Sequence, residues 1–273
     1  MVRNKLKIGF IGYGSMGSMI INGLLKSNAL CPDRIIISTR TREKLIDLKR
    51  EYPEIEIADN NRSLAEKIDK IFLFVTTGEV INVIEEIKES LSKDVHIIHI
   101  SAGMDMSTFS TVFHGKVTQI IPSLTSAAFE GVSLLLHNQE VSESEKKYLE
   151  ELFENISIVK TVQESDLRIG TDLTSCAPAF WAFLAMKFAD IGAEKSGIPK
   201  KDARDMVIQT LYGTAKLMAN EDWDPDEIIS RVATPGGITE EGLKILDEDI
   251  GPVFNRLFHA TSSKINTVRN GLK

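Results

Sequence analysis

A chain of 273 residues with 42% hydrophobic side chains has enough apolar material for two packed cores, which excludes a disordered polypeptide and suits two domains. Its formal net charge of −7 argues against a nucleic-acid backbone or an anionic membrane surface as partner. The two cysteines, Cys31 and Cys176, lie far apart with no CxxC or Cys/His cluster, so the expectation is a cytoplasmic protein with no disulfide framework and no metal site.

In chain order, "MVRNKLKIGFIGYG" runs into glycines before a signal-type apolar core develops, so no secretion is expected. From there to about residue 160, short β-branched runs alternate with amphipathic helical stretches. The strands expected are "KLKIGFIG", "RIIIST", "KIFLFVT", "HIIHIS", "KVTQIIP" and "ISIVKTV". Helices are expected to begin near Ser15, Arg42, Ser63 and Val80, and again at "SESEKKYLEELFEN", where Ser142 and Glu145 form a capping box. This is the pattern of a doubly wound α/β sheet, assigned to residues 1–162. Residues 163–273 read as all-α, with long helices around 178–196, 200–220 and 240–270. The first of these is apolar around most of its circumference, through Phe180, Trp181, Phe183, Leu184, Met186 and Phe188, which predicts a homodimer through the helical domain. The stretch "CAPAFWAFLAM" stops at Lys187, short of the ~18 residues a membrane span needs, so no membrane is expected.

Two regions carry chemistry. Gly12-Tyr13-Gly14-Ser15-Met16-Gly17 follows an apolar strand and opens a helix, the Rossmann-like context for a dinucleotide. Gly12 permits the turn, Gly14 lets a pyrophosphate approach the backbone, Gly17 lets helix and strand close up, and free N–H groups at the helix start meet the phosphates. At the end of the second strand, where an acidic residue would bind a ribose 2′-hydroxyl, stand Ser38, Thr39 and Arg40, with Arg42 and Lys44 behind. Hydroxyls and a guanidinium suit a 2′-phosphate, so the cofactor expected is NADP(H). The second region is "RVATPGGITEEGLKIL", Arg231–Leu246. Pro235-Gly236-Gly237 is a turn signal, and Thr239 either caps the following helix or presents its hydroxyl to a ligand held by the helix N–H groups. The five histidines have no ligand spacing and read as structural.

The segments "SCAPAFWAFL", "GIPKKDARDMVIQTLYGTAKLM" and "VATPGGITEEGLKIL", behind "IGYGSMG", "STR", "ADNN" and "ISAGM", resemble the pyrroline-5-carboxylate reductase family over nearly the whole chain. The resemblance implies NADPH-dependent reduction of the cyclic imine 1-pyrroline-5-carboxylate to L-proline, with a sheet domain for cofactor and a helical domain for dimerisation and substrate. It implies that Thr239 bonds the ring nitrogen as the catalytic residue, while Thr234 and the backbone at Gly236, Gly237, Ile238 and Thr239 hold the substrate carboxylate. It also implies cofactor contacts at Asn60, Val75, Thr76 and Ala102. The chain departs from the family pattern at Cys176, at Thr76-Thr77 where lysine-proline is usual, and at Gln119 and Ser123. It is also similar to the late-competence proteins of spore-forming bacteria, which implies an accessory NADP(H)-binding role or a different imine. A looser likeness to the β-hydroxyacid dehydrogenases would give a catalytic role to Lys216.

Overall fold

A computed structural model describes residues 7–221 and 223–271. The opening of the expected first strand, residues 5 and 6, and the N-terminus read for secretion lie outside the described residues. Two compact units are present: residues up to Cys176 together with those from Ser262, and Ala177–Thr261.

The first unit runs β1 (Ile8–Ile11), α1 (Ser15–Lys26), β2 (Ile35–Ser38), α2 (Ile46–Glu51), β3 (Glu56–Ile57), α3 (Asn61–Ala65), β4 (Lys70–Leu73), α4 (Thr77–Ile87), β5 (His96–His99), α5 (Met106–Ser110), β6 (Lys116–Ile121), β7 (Gly131–His137), α6 (Glu143–Phe153), β8 (Ser157–Thr161) and α7 (Glu164–Thr171). One sheet of order β3-β2-β1-β4-β5-β6-β7-β8 results. Its neighbours pair in parallel except β6 with β7, so the last two strands run against the rest.

The continuous apolar runs of the central strands follow from burial on both faces. Ile8, Phe10, Ile37, Phe72 and Ile98 feed one core, under α1 and α6. The alternate residues Ile11, Ile36, Ile71, Leu73 and Ile97 feed the other, under α3 and α4. Each such side chain contributes about 1.5–3 kcal/mol by leaving water. The Ser142–Glu145 capping box forms as expected, with Glu145 Oε2 accepting from both the N–H and the hydroxyl of Ser142. The break read from composition, at 162, comes before α7, whose Leu167 packs with Ile121, Leu134 and Leu136 of the sheet unit.

A wider π-type turn, Asp172–Cys176, joins α7 to α8 (Ala177–Glu194). Then come α9 (Lys200–Asn220), α10 (Pro225–Val232) and α11 (Ile238–Asn270). Small residues, Ala189, Ala193 and Ala203, let α8 and α9 approach closely. Asp190 accepts two hydrogen bonds from the Arg204 guanidinium, each 2.8 Å, and fixes their register. Most large apolar residues of α8 nonetheless face outward: Trp181, Phe183, Met186 and Phe188 are all exposed. Because the π-type turn makes Glu164–Glu194 one continuous helix of 31 residues, that run is long and apolar enough to cross a membrane by length and composition, which the shorter stretch read from sequence is not.

Candidate functional site

The loop from β1 to α1 is dictated by three glycines. Gly12 has φ +100°, a conformation that a Cβ disfavours, and its N–H donates to the Ser38 carbonyl at 2.8 Å. A Cβ there would sit 2.8 Å from the Phe74 carbonyl carbon and closer still to its oxygen. Gly17 is packed against the Gly12 carbonyl and the Phe74 ring. Gly14 is different: nothing lies within 4 Å of its missing Cβ. It is the N-cap of α1 and offers no side-chain acceptor, so the first N–H groups of that helix stay available to an anion.

These glycines open onto a cavity of about 650 Å³ at the carboxyl ends of β1, β2 and β4, the usual place for a ligand in such a sheet. The cavity gathers Gly12, Tyr13, Gly14, Ser38, Thr39, Arg40, Asn60, Val75 and Thr76 of the residues expected from sequence. Ser15, Met16 and Gly17 form the first turn of α1 beside it. Ala102 is not part of its lining; it packs with Ile121, Leu134 and Leu136.

Lys44, read from the sequence behind Arg40, joins the lining, and with it come three residues the sequence did not disclose, Asn61, Glu79 and Glu86. Ser38 donates its hydroxyl to Asn61 Oδ1 at 2.7 Å, and the Asn61 amide donates to Glu86 at 2.8 Å. Asn60 caps α3, its Oδ1 accepting from the Ser63 N–H at 2.9 Å. Arg42 is engaged elsewhere, donating to the Asp59 carbonyl and lying 3.5 Å from the Asp59 carboxylate. Arg40 pairs with Glu79 at 2.7 Å. The departure at Thr76-Thr77 builds a definite structure: Thr76 caps α4, and Glu79 Oε2 accepts both its N–H (3.1 Å) and its hydroxyl (2.7 Å). Those bonds, with the Arg40 charge, hold the Glu79 carboxyl below its ordinary range.

Of the other departures, Ser123 bonds the middle of the π-type turn and Cys176 is its last residue. Ser123 is buried and donates to the Thr174 carbonyl at 2.9 Å, tying the end of β6 to that turn. Gln119, fully buried, donates to the Ser101 carbonyl at 2.6 Å. Burial and the neighbouring Asp172 carboxylate push the Cys176 thiol up, which disfavours a reactive thiolate. Asp172 is itself buried and paired with Arg168.

In the helical unit, Thr234–Gly237 is a type II turn. The Gly237 N–H donates to the Thr234 carbonyl at 2.8 Å, Pro235 occupies the second position, and Gly236 takes φ +74° at the third. A Cβ on Gly237 would meet the Thr234 hydroxyl at 2.7 Å. Thr239 is not the cap that one reading of the sequence makes it: α11 starts at Ile238, so Thr239 stands inside its first turn, and Glu240 turns back to accept the Gly236 N–H at 2.8 Å. Helix geometry leaves the N–H groups of Ile238 and Thr239 without intrahelical partners. Lys216 lies exposed on α9. Among the described residues no group of three or more His, Cys, Asp or Glu side chains is placed to hold a metal ion.

Residues 7–103 match the family model described as NADP oxidoreductase, coenzyme F420-dependent, and residues 164–268 match the one described as pyrroline-5-carboxylate reductase dimerisation. With the glycine-lined cavity, these define an NAD(P)-binding oxidoreductase carrying a helical dimerisation domain. Pyrroline-5-carboxylate reductase 3 of Bacillus subtilis is 33% identical over 259 residues, covering 94% of this chain and 95% of that protein. ComE operon protein 4 of the same organism is 30% identical over 259 residues, covering 95% of each. The solved structure of a pyrroline-5-carboxylate reductase from Coxiella burnetii superposes with a TM-score of 0.87 at 25% identity, over 97% of this chain and 99% of that one. One from Plasmodium falciparum with NADP bound shares the fold at a TM-score of 0.83 and 22% identity, over 97% and 98% of the two chains. The chain belongs to the pyrroline-5-carboxylate reductase family.

Proposed function

We propose that the protein is a cytoplasmic NADPH-dependent reductase that converts 1-pyrroline-5-carboxylate to L-proline. The observation that carries the proposal is the Thr234–Gly237 turn at the head of α11, in a chain whose sheet unit holds a dinucleotide-sized cavity. The turn and the free N–H groups of Ile238 and Thr239 suit a carboxylate, and the Thr239 hydroxyl suits the ring nitrogen beside it. A protonated imine is already electrophilic at carbon. Holding it in line with the reduced nicotinamide supplies most of the rate through orientation, while the cofactor supplies the hydride. No acid–base dyad or metal is needed for that step.

The cofactor preference rests on Ser38, Thr39 and Arg40 in the cavity, with Lys44 as a second cation. Replacing Arg40 by aspartate is expected to raise the Kd for NADPH roughly tenfold to a hundredfold, as loss of a charged hydrogen bond does, with little change for NADH. Equal effects on both cofactors, measured by fluorescence titration, would count against the assignment. Thr239→Ala is expected to lower kcat/KM for the imine by roughly ten- to thirtyfold with NADPH affinity unchanged. An alanine variant with the wild-type kcat/KM would remove Thr239 from the mechanism.

A homodimer through the helical unit is part of the same proposal. The outward face of α8, with Trp181, Phe183 and Phe188, lies within the stretch matching the dimerisation model, so a second copy, not a bilayer, is its proposed cover. A second reading keeps cofactor binding but assigns an accessory role or another imine. It is favoured by the comparable similarity to ComE operon protein 4 and by the altered rim at Ser123 and Cys176. Purified protein mixed with NADPH and pyrroline-5-carboxylate separates the two: loss of reduced-nicotinamide absorbance supports the reductase, and NADPH binding without turnover supports the second reading.

A further inference from the structure

We infer that Glu79 sets how strongly the protein discriminates for the phosphorylated cofactor, by holding Arg40 in an ion pair that an incoming 2′-phosphate must displace. This rests on the NADPH reading above and deepens it.

The argument starts from the cations at the end of β2. Arg42 is committed to Asp59 through carbonyl and carboxylate. Arg40, which lines the cofactor cavity as Arg42 does not, is paired with the Glu79 carboxylate, also in the lining. The two ends of that pair differ in freedom. The Arg40 side chain is 88% exposed, so it can swing to a new anion. Glu79 cannot follow, because its other oxygen is fixed by the N–H and hydroxyl of Thr76 in the capping box of α4.

A 2′-phosphate arriving at Arg40 therefore meets a competitor for the guanidinium and a fixed negative charge in the same cavity. Exposed ion pairs are weak, so the pair can be displaced, but both effects oppose the phosphorylated cofactor and not its unphosphorylated counterpart. Glu79 is thus a positioning residue that acts through Arg40. The part of its effect exerted through the pair should vanish when Arg40 cannot pair, leaving only the direct repulsion.

The test compares dissociation constants for NADPH and NADH in the full-length protein, its Glu79→Gln variant, its Arg40→Gln variant and the double variant. Glutamine keeps an acceptor for Thr76, so α4 stays capped, and an unchanged melting temperature verifies this. The expected result is that Glu79→Gln binds NADPH about fivefold more tightly, changes NADH less than twofold, and keeps less than about twofold of its NADPH-selective gain in the Arg40→Gln background, where only direct repulsion remains. A purely capping role predicts no selective change, and that result overturns the inference. Weaker NADPH binding in Glu79→Gln, the mark of a pair that preorganises Arg40, overturns it equally. If the unmodified protein fails to prefer NADPH and Arg40→Gln alters neither cofactor, the cofactor reading itself fails.

Discussion

Replacing Gly12 with alanine should abolish measurable dinucleotide binding, with a loss of at least about a hundredfold in affinity, and should also lower stability. The residue holds φ +100°, which costs a non-glycine residue on the order of 1–3 kcal/mol, and its added methyl would collide with the Phe74 carbonyl, a backbone group of the neighbouring strand end that has no rotamer to yield with. Overpacking of this kind costs a further ~1–3 kcal/mol. The loop that aims the first N–H groups of α1 at the cavity would have to move to relieve it.

Because Gly12→Ala damages fold and site together, Gly14→Ala is the sharper half of the pair. Gly14 has φ −80°, and open space surrounds its missing Cβ. An alanine there fits the protein without strain, so the melting temperature should stay where it is. The same methyl occupies the surface a pyrophosphate must approach, and NADPH affinity should fall about tenfold or more. Calorimetric titration beside thermal melts reads both quantities. If Gly14→Ala binds the cofactor as tightly as the parent, the diphosphate does not lie on this turn.

The contrast shows why the cofactor end was legible in the sequence. Gly12, Gly14 and Gly17 are required by backbone geometry, and backbone requirements leave residue-type signatures at fixed spacing. The same holds for the Ser142–Glu145 cap and for the Pro235-Gly236-Gly237 turn. What stayed hidden depends on partners distant in sequence. Arg40 shows its charge in the sequence but not its pairing with Glu79. The Thr76-x-x-Glu79 cap has the same form as Ser142-x-x-Glu145, but the apolar periodicity of α4 begins only at Val80, three residues after the helix itself starts at Thr77. Strand β7 was missed because its buried Ser133 interrupts the apolar run; the structure compensates that hydroxyl with Ser157 at 2.8 Å. Helix α10 carried a readable start, Asp224 capping and Pro225 in the first turn, and its Ile228, Ile229 and Val232 share one face, but at eight residues it is too short to stand out between the long helices on either side.

The protein should lose stability steeply below pH 6.5, and the buried histidines of the sheet give the reason. His96 and His99 are fully buried, and burial lowers each from 6.5 to about 3. His99 is stacked on Phe109 and accepts the Ser101 N–H through Nδ1, while its Nε2 has no partner. His96 and His137 share one hydroxyl, with Thr118 Oγ1 2.7 Å from His96 Nε2 and 2.8 Å from His137 Nδ1. Their outer nitrogens, His96 Nδ1 and His137 Nε2, have no partner either, so a second proton on either ring would be buried without an acceptor. The unfolded chain binds these protons below pH 6.5, and the folded chain refuses those of His96 and His99 until about pH 3 and that of His137, also lowered by burial, until about pH 4. Stability is therefore complete above 6.5 and falls with pH through that window, by about 1.4 kcal/mol per pH unit for each histidine. Three such groups, His96, His99 and His137, remove about 4 kcal/mol per unit above pH 4, enough to exhaust an ordinary stability of about 5–15 kcal/mol within a few units. Denaturant titrations between pH 7 and 5 measure the slope, and His99→Gln should flatten it by about one proton whatever it does to absolute stability. An unchanged slope in that variant would mean that His99 takes up its proton in the folded protein.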